Sequence, residues 1–313
     1  MKSVLSDKHF HNEAAAYAFV EARLWPNGPI CPHCGGVDRI SKMGGESTRI
    51  GTYKCYQCRK PFTVKVGTIF EASHVPMRHW LQAIFLMSSS KKGVSSHQLH
   101  RTLGCTLKTA WFISHRIREA MRATGSGPMG GEGEIIEADE TFIGRIEGQP
   151  KRRAGWGHKN VVLTLVMRGG EARSFHVDST TIADIVPILR ANIKAGTGVN
   201  TDEANQYKNL NKDFPHDSVN HKAEEYVRYE YPITGEPEKM ITTNSVEGYF
   251  SVFKRGMKGT YQHCKEKHLH RYLNEFDFRF SNRMALGVND VARAERALKG
   301  AVGKRLTYRT TGN

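Results

Sequence analysis

Two short cysteine knuckles constrain this chain more than any other feature. Cys31-Pro-His-Cys34 and Cys55-Tyr-Gln-Cys58 each hold two thiols three positions apart, with twenty residues between the knuckles. A C-x2-C turn sets both sulfurs on one side, and two such turns supply four thiolates for a tetrahedral zinc ion. The first twenty residues mix charges and histidines with alanines and lack the apolar run of a secretory signal. A cytoplasmic, reducing setting is therefore expected, where thiols serve metals rather than disulfides or redox pairs. The reading is a structural zinc ribbon over 25–70, after an N-terminal helical segment at 1–24. Cys31, Cys34, Cys55 and Cys58 are its ligands, and His33 is a neighbour inside the first knuckle. Residues 41–53 alternate enough for hairpin strands, and Pro61-Phe-Thr-Val-Lys-Val-Gly67 supplies another. Such a ribbon staples a fold but identifies no reaction.

Beyond the ribbon the apolar period changes to helical. Pro76 suits the first turn of a helix, and Trp80, Ile84 and Met87, flanked by Leu81 and Phe85, form its stripe. A second helix fits 95–103, capped by Ser95 or Ser96. Gly104 turns the chain, Thr106 caps, and a third helix runs to about Met121. Two short helices around a glycine turn predict a helix-turn-helix domain over 74–123. Lys108, His115, Arg116 and Arg118 would then be available to phosphates or base edges. The plainer alternative is a three-helix bundle with a solvated basic face, and Cys105 beside the turn reads as a small buried residue. Charge favours the DNA reading: 46 Lys and Arg against 31 Asp and Glu give +15. An anionic membrane surface would need a basic amphipathic helix with a large apolar face. No such helix stands apart from the core, and no apolar run reaches membrane-spanning length.

Five glycines and a proline within 123–134 predict a linker at 124–134. Behind it the pattern reads strand, strand, strand, helix, strand, helix. Glu134-Ile-Ile-Glu-Ala-Asp139 is a short strand ending in acids. Residues 160–167 are a buried strand, and 172–177 a third beyond the Gly169-Gly170 turn. Residues 180–193 form an amphipathic helix, Val199-Asn-Thr-Asp202 ends another strand, and 203–210 turn into a helix. This order predicts an α/β, ribonuclease-H-like catalytic domain over 135–285, a mixed sheet with flanking helices. A loosely ordered C-terminal tail at 286–313 follows. Residues 144–158 read as a long basic loop.

In that plan the first and fourth strands end side by side, bringing Asp139 and Asp202 together. Paired carboxylates repel and need a compensating cation, and two Mg2+ or Mn2+ ions serve phosphoryl transfer in this way. Each aspartate alone is equally a turn former or helix cap. Glu137 and Glu140 compete with Asp139, but Glu140 points to the opposite face if the strand continues. Glu247 heads a helix whose apolar stripe is Val246, Tyr249, Phe250, Phe253 and Met257. Lys254 lies seven residues on, about 10.5 Å along the same face, so one side chain can bind metal while the other grips a phosphate. Asn244 and Glu247 also fit a capping box, in which the glutamate only ties down the helix start. Asn244 is a rival or supporting ligand. His221, in Ser218-Val-Asn-His221, is a possible auxiliary at the metal edge, with a packed or solvated histidine as the alternative.

From Cys31 to about Arg283 the chain resembles insertion-sequence transposases of the DDE superfamily, in the zinc-ribbon-bearing group related to Merlin transposons. The resemblance is carried by the four cysteines, Ala138-Asp-Glu-Thr-Phe-Ile-Gly144 and Thr201-Asp-Glu-Ala. More distinctive are Asn244-Ser-Val-Glu-Gly-Tyr-Phe-Ser-Val-Phe-Lys-Arg255 and His268-Leu-His-Arg-Tyr-Leu-Asn-Glu-Phe-Asp-Phe-Arg279. It implies Asp139, Asp202 and Glu247 as a metal-binding triad, Lys254 as a DNA-contacting accessory, and a dimer or larger assembly on DNA. Lys108, Arg116, Lys151, Arg152, Arg153, Lys254 and Arg255 are the expected contacts to double-stranded DNA, both element ends and target. The expected activity is two-metal strand cleavage and strand transfer by a cytoplasmic, nucleoid-associated protein without membrane partners. Two rivals are a non-catalytic zinc-ribbon and helix-turn-helix regulator derived from a transposase, and a structure-specific nuclease on the same fold.

Overall fold

The computed structural model describes residues 3–125, 127–150, 155–231 and 239–307 and has two units, Met1–Arg122 with Val288–Asn313, and Ala123–Gly287. In the first unit, Asn12 accepts from the Ala15 N–H at 2.9 Å and starts α1, Glu13–Leu24. Three short antiparallel strands follow, β1 (Ile40–Lys42), β2 (Tyr53–Cys55) and β3 (Pro61–Phe62), with Ile40 opposite Cys55 and Tyr53 opposite Phe62. Three helices come next, α2 (Met77–Ser89), α3 (Ser96–Leu103) and α4 (Leu107–Met121). Trp80, Leu81, Ile84 and Met87 are buried on α2, as their spacing predicts. Ser95 caps α3 by accepting from Gln98, and Thr106 caps α4 by accepting from Thr109. Gly104 closes α3 at φ 63°, a conformation in which a Cβ would be strained.

The C-terminal segment differs from the tail expected at 286–313. Within it α8, Asp290–Lys299, is capped by Asn289 and buries Ala297 and Leu298. Arg293 is also buried and donates to the Ser88 and Val288 carbonyls, while Arg23 of α1 pairs with Glu295 at 2.7 Å. This segment carries few large apolar residues, so its attachment through arginines and small side chains leaves little periodicity to read.

The second unit is built on a mixed sheet. Its strands are β4 (Ile135–Ile143), β5 (Asn160–Met167), β6 (Ala172–Val177), β7 (Gly198–Thr201) and β8 (His216–Ser218). Their order is β6-β5-β4-β7-β8, antiparallel from β6 to β4 and parallel from β4 to β8. Helix α5 (Ile182–Asn192) packs Ile185 and Leu189 on one face, with Ile136, Ala138, Leu163 and Leu165 beneath. On the other face α6 (Asn244–Gly256) and α7 (Leu269–Ser281) bring Val246, Tyr249, Phe253 and Phe276 against Val162 and Val166. Buried on both faces, β5 reads as an apolar run from Val161 to Met167 broken only at Thr164. A hairpin, β9 (Val227–Glu230) with β10 (Lys239–Thr242), leads into α6.

Three expectations change here. Strand β4 continues through Asp139 to Ile143, so the aspartate lies mid-strand. Residues 203–210 form short 3-10 turns, Asn205–Tyr207 being the first, rather than a helix. The segment expected as a linker at 124–134 is partly built into the sheet layer: Met129 is buried, donates to the Asn192 carbonyl and accepts from Lys194. At Gly130, φ 86°, a Cβ would meet Thr197 Oγ1 at 2.5 Å, so glycine here serves close packing. Among the described residues, no helix is long and apolar enough to cross a membrane.

Candidate functional sites

The two knuckles converge. Sγ atoms of Cys31, Cys34, Cys55 and Cys58 all lie within 4.8 Å of one another, with Cys31–Cys58 at 3.6 Å and Cys34–Cys55 at 3.7 Å. Four sulfurs about 2.3 Å from a tetrahedral zinc are separated by roughly 3.8 Å, so the donor set fits that ion. Trp25, Tyr53 and Phe62 pack beside the cluster, the indole edge-on to both rings at 5.5 and 5.8 Å. The ribbon thus has an aromatic floor on one side and four thiols closing the other.

The acids meet through strand register. Parallel pairing sets Ile136 against Val199 and Glu137 against Asn200, and continuing it by two residues brings Asp139 abreast of Asp202. Burial pushes the Asp139 carboxyl well above its ordinary range, reinforced by the charges of Asp202, Glu140 and Glu247. Asp202 is also raised by burial, while the Ala204 N–H it accepts at 3.0 Å pulls the other way. Glu247 stands on the first turn of α6, exposed, with Oε1 3.1 Å from Thr243 Oγ1 and 3.3 Å from His221 Nε2. Among the described residues no three carboxylates have ligand atoms within 4.8 Å of one another. The three acids form an open arc, near enough for Asp202 and Glu247 to act on the Asp139 charge.

The remaining acids separate by partner. Glu137 is fully buried; its carboxylate accepts from the Ser245 and Val246 N–H groups at 2.7 and 3.2 Å and pairs with Arg168 at 3.1 Å. It satisfies the open N-terminus of α6 and faces its positive dipole end. Glu140 faces the other side of the sheet, accepts from Tyr207 Oη at 2.6 Å and from Gln206, and is raised to about 7 by burial. Glu203 accepts from the His221 N–H and pairs with Lys222. Asp139 is therefore the β4 acid left facing Asp202 and Glu247.

The capping box expected from Asn244 and Glu247 does not form. Thr243 is the N-cap, Asn244 is the exposed first residue of α6, and Glu137 does the capping from a neighbouring strand. Sequence reading weighed Glu137 only as a rival ligand, because a carboxylate capping a helix more than a hundred residues away leaves no local pattern. Lys254 lies two turns beyond Glu247, half-buried over the Phe250 ring; burial lowers its pKa, and Asp139 lies near enough to oppose that shift. Arg255 is exposed and folds back onto Ser251. His221, besides Glu247, contacts Thr243 Oγ1 at 3.2 Å and packs against the Tyr226 ring.

Of the other expected DNA contacts, Lys108 is exposed at the start of α4. Arg116 requires correction. It is 4% exposed, and its guanidinium donates to the carbonyls of Ile69, Glu71 and Leu306. His115 and Arg118 are buried as well. The middle of α4 runs through the core, where Arg116 serves backbone carbonyls and Arg118 donates to the Ser114 hydroxyl. Lys151, Arg152 and Arg153 lie outside the described residues.

Comparison with known proteins matches two stretches of the chain. Residues 11–61 match a transposase zinc-ribbon domain, and residues 130–281 match an ISXO2-like transposase domain. Over 290 residues, 87% of this chain and 92% of the relative, the sequence is 26% identical to an uncharacterized protein in transposable element ISH50 of Halobacterium salinarum.

Proposed function

Since the chain belongs to the zinc-ribbon-bearing insertion-sequence transposases of the DDE superfamily, we propose that it binds the terminal inverted repeats of its element and catalyses strand cleavage and strand transfer. One observation carries this reading: the β4–β7 register, extended by two residues, brings Asp139 abreast of Asp202, and the charges of Asp202 and Glu247 both act on Asp139. The strand order, three antiparallel strands with two parallel ones added beside the first, supports a ribonuclease-H-like domain. The capped pair α3–α4 around Gly104 supports a helix-turn-helix, with Lys108 at its exposed end.

Asp139, Asp202 and Glu247 would hold Mg2+ or Mn2+, with Asn244 and His221 as supporting groups. When bound, such a pair activates water or a 3′-hydroxyl and stabilises the leaving oxygen in an in-line displacement. The protein's part is to hold the acids. Burial keeps Asp139 and Asp202 poorly solvated, so a cation relieves their repulsion. Thr243 and His221 fix the Glu247 carboxylate, and Lys254 holds a phosphate beside it. The cysteine cluster would take a structural zinc, and a dimer or larger assembly on DNA would join two element ends. Localisation with the nucleoid in the cytoplasm follows from this role.

The test uses the full chain and the DNA flanking its own gene. Cleavage is expected with Mg2+ and not with chelator. Asp139→Asn and Asp202→Asn should each bind the end and leave it uncut. Cleavage of normal rate by Asp139→Asn would overturn the assignment.

A further inference from the structure

Beyond the acid arc the second unit contains a cavity of about 260 Å3, lined in part by Phe142, Ile143, Asn160, Met257, Lys258 and Leu269. We propose that it receives one unstacked nucleobase of the DNA strand held at the acids. The proposal rests on the reading of this unit as a DNA-cleaving domain and adds a subsite to it.

Three features of the cavity point to that occupant. The size lies somewhat below the ~300–1,000 Å3 that encloses a drug-sized ligand, leaving room for one planar heterocycle. Ile143, Met257 and Leu269 supply apolar walls for its faces. Asn160 is 4% exposed; its Nδ2 donates to the Ile143 carbonyl at 3.4 Å, and its Oδ1 has no hydrogen-bond partner among the described residues. A buried acceptor of this kind calls for a donor, which every unpaired base carries on its Watson–Crick edge, as an exocyclic amino group or an imino N–H.

The approach to the cavity suits a nucleic-acid strand. Trp156, 56% exposed, stacks on Phe142 at 5.5 Å and 14°, and Lys159 Nζ lies 4.1 Å from the indole centroid. Together they form an aromatic ledge with a cation beside it, the pairing that holds single-stranded bases and their phosphates. Lys159 and Lys258 line the cavity beside Glu266, and both lysines and Asp139 act on the charge of Lys254, so a track of lysines joins cavity and acids. From Asp139 to Ile143 the strand rises about 13 Å, roughly four steps of stacked DNA. The far wall is a π-helical turn, Met257–Tyr261, ending at Gln262 in a strained conformation with φ 51°. Tyr261 holds it by donating to Glu275 at 2.5 Å. Departures of this kind concentrate at binding sites.

The probe is a duplex of the element's own end carrying one 2-aminopurine at successive nucleotides around the cleaved phosphate. With the full-length protein, emission at one position should rise several-fold as that base leaves its stack. Cys264→Trp, which fills the cavity, should abolish the rise and weaken binding about tenfold. An abasic nucleotide at that position should restore its affinity, because no base then needs housing. Should Cys264→Trp fail to fold, Trp156→Ala takes its place, with the same loss on intact DNA and the same abasic restoration. No responsive position, or a rise that persists when the cavity is filled, overturns the proposal. Cleavage of these duplexes by wild-type protein with Mg2+ separates the two readings. Cleavage without a responsive base removes only the subsite, whereas absence of binding and cleavage removes the transposase reading and the subsite with it.

Discussion

Glu137 on β4 caps the helix that carries Glu247, its Oε2 accepting from the Ser245 N–H at 2.7 Å. One strand therefore supplies Asp139 to the acid arc and, two residues earlier on the same face, fixes the element that brings the third acid. The positions of Asp139 and Glu247 are thus coupled through a side chain that faces no solvent.

Replacing Glu137 should consequently act on both. Glu137→Ala leaves Arg168 and two helix N–H groups without their carboxylate, at a cost of about 3 kcal/mol. Melting should fall by several degrees, and cleavage should fall beyond what the unfolded fraction explains, because α6 is no longer held. Glu137→Gln keeps an acceptor and should recover part of both. Unchanged cleavage by a folded Glu137→Ala protein would show that the cap does not position Glu247.

The ribbon gives a simpler test. Four thiols at tetrahedral spacing should bring a single zinc per chain through purification, measured on freshly reduced protein. Cys55→Ser should lose the metal and loosen β1–β3, since a Cys55 Sγ ligand anchors the middle strand. Zinc-free wild-type protein of normal stability would remove the assignment.

How much of this could be read from the chain depended on whether its cause was local. Knuckles, caps and helical stripes each lie within a short window, and Ser95, Thr106 and the Trp80–Met87 face fold as their spacing predicts. Asp139 and Asp202 were legible as a pair because strand order implies adjacency. Arg116 and Glu137 were not, because their partners are distant in sequence: an arginine on a helix looks the same whether it meets DNA or the carbonyls of Ile69 and Leu306. Helix α8 was missed for the related reason that only Arg293, Ala297 and Leu298 are buried on it, rather than a full apolar stripe.

Asp277 offers a measurable pH dependence away from the acid arc. It is half-buried between Ser174 and Tyr249, accepting from Ser174 N at 2.8 Å and from Tyr249 Oη at 2.6 Å. Burial raises its pKa to about 7 from an ordinary 3.8, although these hydrogen bonds pull it down. The folded chain thus prefers the protonated acid. Its contribution is complete below about pH 4 and is lost as pH rises towards 7, on the order of a few kcal/mol. Asp277→Asn lacks this titration. Denaturant curves should show the variant gaining on wild type between pH 4 and 7. Parallel pH profiles would count against the buried-acid account.

Glu247 and Lys254 can be separated by what each removes. Glu247→Gln keeps a carbonyl oxygen for the Thr243 hydroxyl and does not touch the cap supplied by Glu137, so α6 should stay in place. It removes the charge that would hold a cation, and cleavage should fall by about a hundredfold or more with end binding retained. Near-normal cleavage would move the third role elsewhere, with Asn244→Ala the next variant to measure. Lys254→Ala leaves all three acids intact and removes one cation from the track towards Lys258. Binding should weaken, and the slope of log K against log salt should become shallower by about 0.9 for one lost phosphate contact. Cleavage should recover in part at high DNA concentration and should not respond to added Mg2+. A salt slope equal to wild type would mean that Lys254 meets no phosphate and that its place on α6 is a matter of packing over Phe250 alone.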